Sequence, residues 1–486
     1  MTQVKTRFAP SPTGYLHVGG ARTALFSYCH ARRHGGTFLL RIEDTDRARH
    51  DESAVEKILD DLRWLGIEPD EGVGAGGENG PYRQSERLEV YRQHVDRLLK
   101  AGRAYYAFET AEELDALRKQ AEAEKKRFVY SRPAELPTAD QVQAARDQGR
   151  PVVVRLLCPS RDVTVTDEVF GEVTTPAAEL DDFILLKADG YPTYHLANVV
   201  DDALMGVTHI MRGQEFLGQT WRHVLLREAF GYDEPRYCHL PLVMDMQGRK
   251  LSKRDGDVEV HAFRREGYLP EVMVNFLALL GWNPGGDRER FDLDELVELF
   301  SPERIGKSNA KFDREKLLAF NTDAAAEAPA ERLLAGLKDY LQLNPELPIP
   351  ADDEALLARL LELCKGFRTF ADIPAKCGIL FDDDAAVVYD PKAVKKVLAK
   401  NDGQGLAVLG EVREMLAGCE WEAEAVEAAI AEFCRQRELG MGKVAQPIRV
   451  AVTGSTVSPG IGDTLMLLGR EKTLARIDRC LAECRP

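Results

Sequence analysis

Arg7-Phe-Ala-Pro-Ser-Pro-Thr-Gly-Tyr-Leu-His-Val-Gly-Gly20 is the stretch whose reading decides the fold. A short strand is expected over 4–8, Pro10 and Pro12 stiffen a turn, and a helix should open near His17 and Gly19. A strand, loop and helix start in one piece present unpaired backbone N–H groups and the positive end of a helix dipole, so an anion can bind there. Gly19 and Gly20 let that anion come close, and His17 stands where a nucleotide phosphate would lie. Taken alone, the stretch also reads as a Pro-rich turn with an incidental histidine.

After the helix, Thr37-Phe-Leu-Leu-Arg-Ile42 is an apolar run of strand length. Strand, helix and strand in succession imply a parallel right-handed unit whose ligands collect at the strands' carboxyl ends. Glu43-Asp44-Thr45-Asp46 falls at such an end. A carboxylate there can hold an ammonium group or cap the helix that Val55, Ile58, Leu59 and Leu62 predict over 52–65. Gly72-Val-Gly-Ala-Gly-Gly77 has the dinucleotide-fingerprint spacing, but it follows a helix and leads into Asn79-Gly80-Pro81, which is the setting of a surface loop.

Helices are expected over 84–102 and 110–126. The segment 105–180 interrupts the parallel pattern with a polar helical insert and short strands at 152–156 and 163–165, as a separate lobe would. Residues 183–187, the Asp189-Gly190 turn and 191–197 read as a hairpin, followed by a strand at 207–211 and a helix over 214–230. Tyr194, Asn198 and Arg212 then lie at or near strand ends, and beside Arg7 they would suit a carboxylate ligand. A strand at 240–244 leads into Gln247-Gly-Arg-Lys-Leu-Ser-Lys-Arg-Asp-Gly256, a basic loop that can clamp polyphosphate or be a solvated turn. Beyond Pro270 the pattern is helical, with a linker composition at 323–330 and no fixed-period repeat, which predicts a helical cage or bundle.

Length and composition bound these readings. A chain of 486 residues should form three to five compact units, and 44% hydrophobic with 30% charged residues is ordinary for a soluble globular protein. No signal-like N-terminus or membrane-length apolar run is seen, so a cytoplasmic protein is expected. Nine cysteines without a Cys-x-x-Cys pair favour reduced thiols. A net charge of −16 argues against indiscriminate coating of nucleic acid, although seven Lys/Arg against four Asp/Glu in 443–486 leave room for a local basic surface.

Taken together, Ala9-Pro-Ser-Pro-Thr-Gly-Tyr-Leu-His-Val-Gly19 and Lys250-Leu-Ser-Lys-Arg254 resemble the HIGH and KMSKS signatures of class I aminoacyl-tRNA synthetases. Arg41-Ile-Glu-Asp-Thr-Asp46, Gly190-Tyr-Pro-Thr-Tyr-His-Leu-Ala-Asn-Val-Val-Asp-Asp202 and Gln446-Pro-Ile-Arg-Val-Ala-Val-Thr-Gly454 narrow the likeness to bacterial glutamyl-tRNA synthetases, over essentially the whole chain.

The resemblance implies an α/β Rossmann-type parallel-sheet catalytic domain with an α+β insert, followed by an all-α anticodon-binding region. Its parts would be two catalytic halves at 1–104 and 183–245, an acceptor-end lobe at 105–182, the KMSKS loop and stem-contact helices at 246–321, and an anticodon region at 322–486 with a break near 380. The implied reaction joins glutamate to ATP, releases pyrophosphate and passes the glutamyl group to the 3′-terminal ribose of tRNA. By the same resemblance His17, Lys250 and Lys253 are catalytic. ATP is held by Pro10, Ser11, Thr13, Gly14, His17, Gly19, Gly20 and Lys253, with Mg²⁺ carried on its phosphates.

Glutamate falls to Arg7, Ala9, Ser11, Glu43, Tyr194, Asn198 and Arg212, with the two arginines matching two carboxylates in an order left open. Many relatives hold zinc in the insert through cysteines. Here that stretch reads Tyr105-Tyr-Ala-Phe-Glu109, which predicts no structural zinc. The partners implied are tRNA(Glu), or also tRNA(Gln) in a non-discriminating form, with Arg368 a candidate anticodon reader or a solvated helix arginine. A monomer is expected. A non-catalytic tRNA-binding relative is the remaining alternative, against which the intact His17, Lys253 and pocket arginines argue.

Overall fold

The computed structural model describes residues 3–45, 52–251 and 258–484. They form two compact units, one of residues 1–262 with 273–313 and one of 263–272 with 314–486. In the first, β1 (Lys5–Phe8), the helix α1 (Val18–Arg33) and β2 (Thr37–Leu40) make the expected parallel unit, with Arg7 in register with Leu39. Phe38, Leu39 and Leu40 are all fully buried, which is why β2 reads as a continuous apolar run and not as an alternating one. After α2 (Glu52–Trp64), β3 (Glu71–Gly72) adds parallel to β2. Gly72 is therefore buried strand and not loop: a Cβ on it would stand 2.0 Å from the Leu40 carbonyl oxygen, and its φ is +125°. The glycine cluster serves close strand packing and a turn back from Gly76, whose carbonyl accepts the Gly72 N–H at 2.8 Å.

α3 (Leu88–Lys100) leads into a lobe in which β4 (Ala104–Ala107), β5 (Val153–Leu156) and β8 (Ile184–Leu186) form an antiparallel sheet, with α4 (Ala111–Ala123) and α5 (Ala139–Asp147) between the first two strands. The strand predicted at 163–165 and expected in this lobe is β6 (Val163–Asp167), which forms a hairpin with β7 (Gly171–Thr175). Instead β6 joins the other half-sheet, in the order β7-β6-β10-β9, where β9 is His209–Gly213 and β10 is Arg236–Leu240.

The expected strand at 191–197 is corrected as well. Residues from Tyr194 on are the helix α6 (Tyr194–Leu204), with Thr193 at its N-cap. Pro192 stands just before the cap, and buried Leu196, Ala197, Val199 and Val200 recur at helical spacing, so the β-like Tyr-Pro-Thr-Tyr composition loses to the helical period. Arg212 does lie near the end of β9, which is followed by α7 (Thr220–Phe230).

The two parallel half-sheets meet at β1 and β9. Thr208 N–H donates to the Lys5 carbonyl at 2.9 Å, and Lys5 N–H donates to Thr208 Oγ1 at 2.8 Å. Strand order runs outward from this junction as β1-β2-β3 on one side and β9-β10-β6 on the other, so the direction of winding reverses there. In sheets of this kind ligands bind in the crevice at the carboxyl ends of the strands flanking the reversal, where Arg7 and Arg212 both lie.

The second unit is helical. The alanine-rich run at 323–330 is not an extended linker: the helix Arg314–Glu327 continues into it and Ala330–Leu343 starts on its far side, in keeping with alanine's high helix propensity. Helices Lys400–Gly418, Ala423–Gln436, Met441–Thr453, Ile461–Leu468 and Arg470–Glu483 enclose a core of Leu409, Val412, Ile430, Val444, Ile448 and Ile477. Within the basic 443–486 segment, Arg476 is fully buried. It binds Asp384 Oδ1 at 2.6 Å and the carbonyls of Ile379, Val452 and Asp382 at 2.8–2.9 Å, so part of that positive charge is structural and not surface.

Candidate active site

The Pro-rich turn delivers the chain to His17, the N-cap of α1, whose Nδ1 accepts the Gly19 N–H at 3.1 Å. A Cβ on Gly19 would meet only the His17 ring, at 3.5 Å, so that side of the helix start is open. On its other side the helix start is clasped by the segment after the basic loop. Val18 N–H donates to the Val258 carbonyl at 3.0 Å, and Val260 N–H to that of Leu16 at 2.8 Å. The first signature stretch is thereby joined to the segment just beyond the second.

The first signature, with Lys250 and Leu251 of the second, borders a cleft of about 640 Å³ at the β1/β9 junction. Arg7, Ala9, Ser11, His17, Gly19, Gly20, Glu43, Tyr194, Asn198, Arg212 and Lys250 all line it. Pro10, Thr13 and Gly14 are not among its lining residues. They shape the turn, where Thr13 N–H donates to the Ser11 carbonyl at 2.9 Å and Gly14 takes φ +140°. Lys253, with Arg254 and Asp46, lies outside the described residues. Lys250 is 3.7 Å from Glu215 and is well exposed. Arg368 belongs to the helical unit, where it is exposed and ion-paired with Asp372 at 3.3 Å.

The two pocket arginines differ in a way the sequence did not reveal. Arg7 Nε lies 3.2 Å from Asp202 Oδ1, and its Nη1 donates to the Met211 carbonyl at 3.2 Å. The same carboxylate takes Arg41 Nη1 at 2.7 Å, and Arg41 also reaches Glu43 at 3.3 Å. Burial alone would raise the Asp202 carboxyl, but Arg7 and Arg41 outweigh it and hold the pKa at about 2. For Glu43 the balance goes the other way: burial raises its carboxyl above the ordinary value despite Arg41, Arg7 and the 2.6 Å bond from Asn198 Nδ2. Asn198 Oδ1 is buried without a partner, an acceptor facing the same small region as Glu43.

Arg212 has no carboxylate within 4 Å among the described residues. Its Nε donates to His239 Nε2 at 3.0 Å, its Nη2 to Thr220 Oγ1 at 2.8 Å, and its Nη1 to Tyr194 Oη at 3.2 Å and His223 Nδ1 at 3.3 Å. Burial and then Arg212 drive His223 far below the usual histidine range, and burial with nearby arginines brings His195 down to about 3. Arg212 is thus a buried cation held by neutral acceptors, which leaves its charge for an anionic ligand.

Asp202, Arg41, Glu215 and His239 were missed as site residues. Asp202 and Arg41 stand inside the quoted motifs, but their pairing spans 161 residues of sequence and leaves no periodic signal. In the insert, Tyr105 and Tyr130 pack together with Ala107, and Tyr105 Oη donates to Asp182 at 2.8 Å and Tyr130 Oη to Glu109 at 2.7 Å.

A histidine-capped helix start and a buried arginine held by neutral acceptors, set at a sheet's winding reversal, are the arrangement of an α/β enzyme whose site takes anionic ligands. The chain matches the family described as "tRNA synthetases class I (E and Q), catalytic domain" over residues 3–319 and "Anticodon binding domain" over 332–481. It is 42% identical to the glutamate–tRNA ligase of Anaeromyxobacter sp. (strain Fw109-5) over 99% of both chains. It is 44% identical to a glutamate–tRNA ligase of Thermus thermophilus over 99% of this chain and all of that one. A crystal structure of a glutamate tRNA ligase from Elizabethkingia meningosepticum CCUG26117 in complex with its amino acid superposes with TM-score 0.79 at 35% identity, covering 99% of each chain. The chain belongs to the glutamate–tRNA ligase family of class I aminoacyl-tRNA synthetases.

Proposed function

We propose that this chain activates L-glutamate with ATP and transfers it to tRNA(Glu), and that the cleft residues divide the work as follows. The observation that carries the reading is Arg212, a buried guanidinium without a carboxylate partner in a cage of neutral acceptors. It takes the side-chain carboxylate of glutamate, together with Tyr194. Arg7, whose charge Asp202 already shares, orients the α-carboxylate while leaving it nucleophilic. Glu43 and the unpartnered Oδ1 of Asn198 receive the ammonium group. Glutamine would turn a neutral amide toward Arg212 and leave its charge unmatched, a loss large enough to exclude it without editing.

The ATP phosphates rest against His17, Gly19 and Gly20, with Lys250 and Lys253 arriving from the basic loop. Attack of the α-carboxylate oxygen on the α-phosphorus expels pyrophosphate. The ribose hydroxyl of the tRNA terminus then attacks the glutamyl carbonyl and AMP leaves. No protein nucleophile takes part, so alignment and charge stabilisation supply the rate. Glu215 is the exposed carboxylate of the cleft, and Mg²⁺ would arrive on the phosphates. Mg²⁺ would supply neutralisation of the departing pyrophosphate.

No helix among the described residues is long and apolar enough to cross a membrane. We place the protein in the cytoplasm as a monomer, with the lobe at 105–182 meeting the acceptor end and the region from 322 onward meeting the anticodon. ATP–pyrophosphate exchange with glutamate or glutamine, with tRNA(Glu) present, tests the reading. Exchange with glutamate alone is expected, with loss of turnover in H17A and K253A. Exchange that prefers glutamine would overturn it.

A further inference from the structure

An arginine donates hydrogen bonds and accepts none, so every nitrogen it touches must present a lone pair. His239 Nε2 receives Arg212 Nε at 3.0 Å, which places the His239 proton on Nδ1, where it is donated to Asp167 Oδ2 at 2.6 Å. His223 Nδ1 faces Arg212 Nη1 at 3.3 Å, so its proton sits on Nε2 and is donated to His195 Nδ1 at 3.1 Å. Two chains, Asp167–His239 and His195–His223, therefore converge on one guanidinium, each fixed in a single tautomer. Asp167, His239, His223 and Arg212 are all buried, so bulk water supplies no substitute acceptor. Asp167 is itself locked by the Val169 and Phe170 N–H groups at 3.0 and 2.8 Å and by the His239 N–H at 3.0 Å. It sits on β6, the strand that leaves the inserted segment to pair with β10.

We propose that Asp167–His239 and His195–His223 are positioning pairs that hold Arg212 in the orientation that receives the substrate's side-chain carboxylate, and so set the glutamate selectivity of the site. This rests on the assignment of Arg212 made above. A second carboxylate directly on Arg212 would have fixed it equally well but would have consumed its charge. Placing the carboxylate one imidazole away fixes the geometry and keeps the cation for the ligand.

The test is a pair of substitutions at each relay histidine, read by pyrophosphate exchange with tRNA(Glu) present. H239F removes the acceptor, whereas in H239Q the amide oxygen replaces Nε2 as the acceptor. H223L and H223N form the corresponding pair for the Nδ1 position, and serve if a variant at 239 does not fold. The expected result is a rise of about ten- to hundredfold in KM for glutamate in H239F and H223L, as for loss of one buried bond to a charged group. KM for ATP should stay within about twofold of wild type, and H239Q and H223N should recover most of the loss. Equal effects of the amide and apolar variants, or parallel changes in both KM values, would overturn the positioning role. R212K separates the two layers: if it leaves KM for glutamate unchanged, the assignment of Arg212 fails and the proposal fails with it.

Discussion

Replacing Asp202 by asparagine should remove the keystone of the pocket's charge network. Asp202 is the carboxylate of Arg7, at 3.2 Å, and of Arg41, at 2.7 Å, and its side chain is fully buried. Arg41 keeps Glu43 at 3.3 Å and Asp201 at 3.7 Å, but Arg7 loses its ion partner among the described residues. Breaking a buried ion pair from one side typically costs about 3–5 kcal/mol. The carboxyl pKa gives a separate lower figure: its fall from 3.8 to about 2 is worth about 2 kcal/mol at neutral pH. A folded-state pKa below the unfolded one means this stability is present above about pH 4 and is lost as pH falls toward 2. D202N should therefore lower the melting transition of the catalytic unit by roughly 5–10 °C at neutral pH. It should also flatten the pH dependence between 4 and 2 and raise KM for glutamate through the misplaced Arg7. Calorimetry at several pH values checks this. An unchanged transition with an unchanged acid limb would refute the reasoning.

Other substitutions probe the same physics elsewhere. Because burial raises the Glu43 carboxyl above its ordinary value, glutamate binding should weaken as pH falls through that raised pKa, and E43Q should remove this acid limb while raising KM by about tenfold or more at neutral pH, as pH–KM profiles would record. G72A forces a Cβ within 2.0 Å of the Leu40 carbonyl at φ +125° and should destabilise by about 2 kcal/mol or more, whereas G76A, with open space around it at φ +78°, should lose about 1 kcal/mol in urea titration. R476M strips Asp384 and three carbonyls of their shared donor and should destabilise the helical unit by about 3 kcal/mol or more, while pyrophosphate exchange at the cleft continues.

Much of the site was legible because it sits in continuous stretches. The loop from Arg7 to Gly20 announces a helix start, and its glycines have an evident use. Lys250 and His17 line one cleft because strand ends of a parallel sheet point the same way. What the sequence hid were decisions made by distant partners. Tyr194 and Asn198 reach the pocket from successive turns of α6 and not from a strand, since the apolar period of Leu196 to Val200 outweighs a β-like tetrapeptide. Arg7 and Arg212 look equivalent in the sequence, yet Asp202 spends the charge of one while His239, His223 and Thr220 preserve that of the other. Gly72 reads as a loop glycine because a two-residue strand has too little length to show a pattern. Arg368 shows the limit in the helical unit: its pairing with Asp372 is visible, but nothing local to it marks a base contact.

The central claim is that this cleft joins glutamate to tRNA. Charging of purified tRNA(Glu) and tRNA(Gln) with labelled glutamate, in the presence of ATP and Mg²⁺, tests it most directly. Acid-precipitable glutamate on tRNA(Glu) is predicted, lost in R212A and K253A; label on tRNA(Gln) as well would identify a non-discriminating enzyme. Absence of charged product on either tRNA, from protein whose cleft binds ATP, would contradict the account.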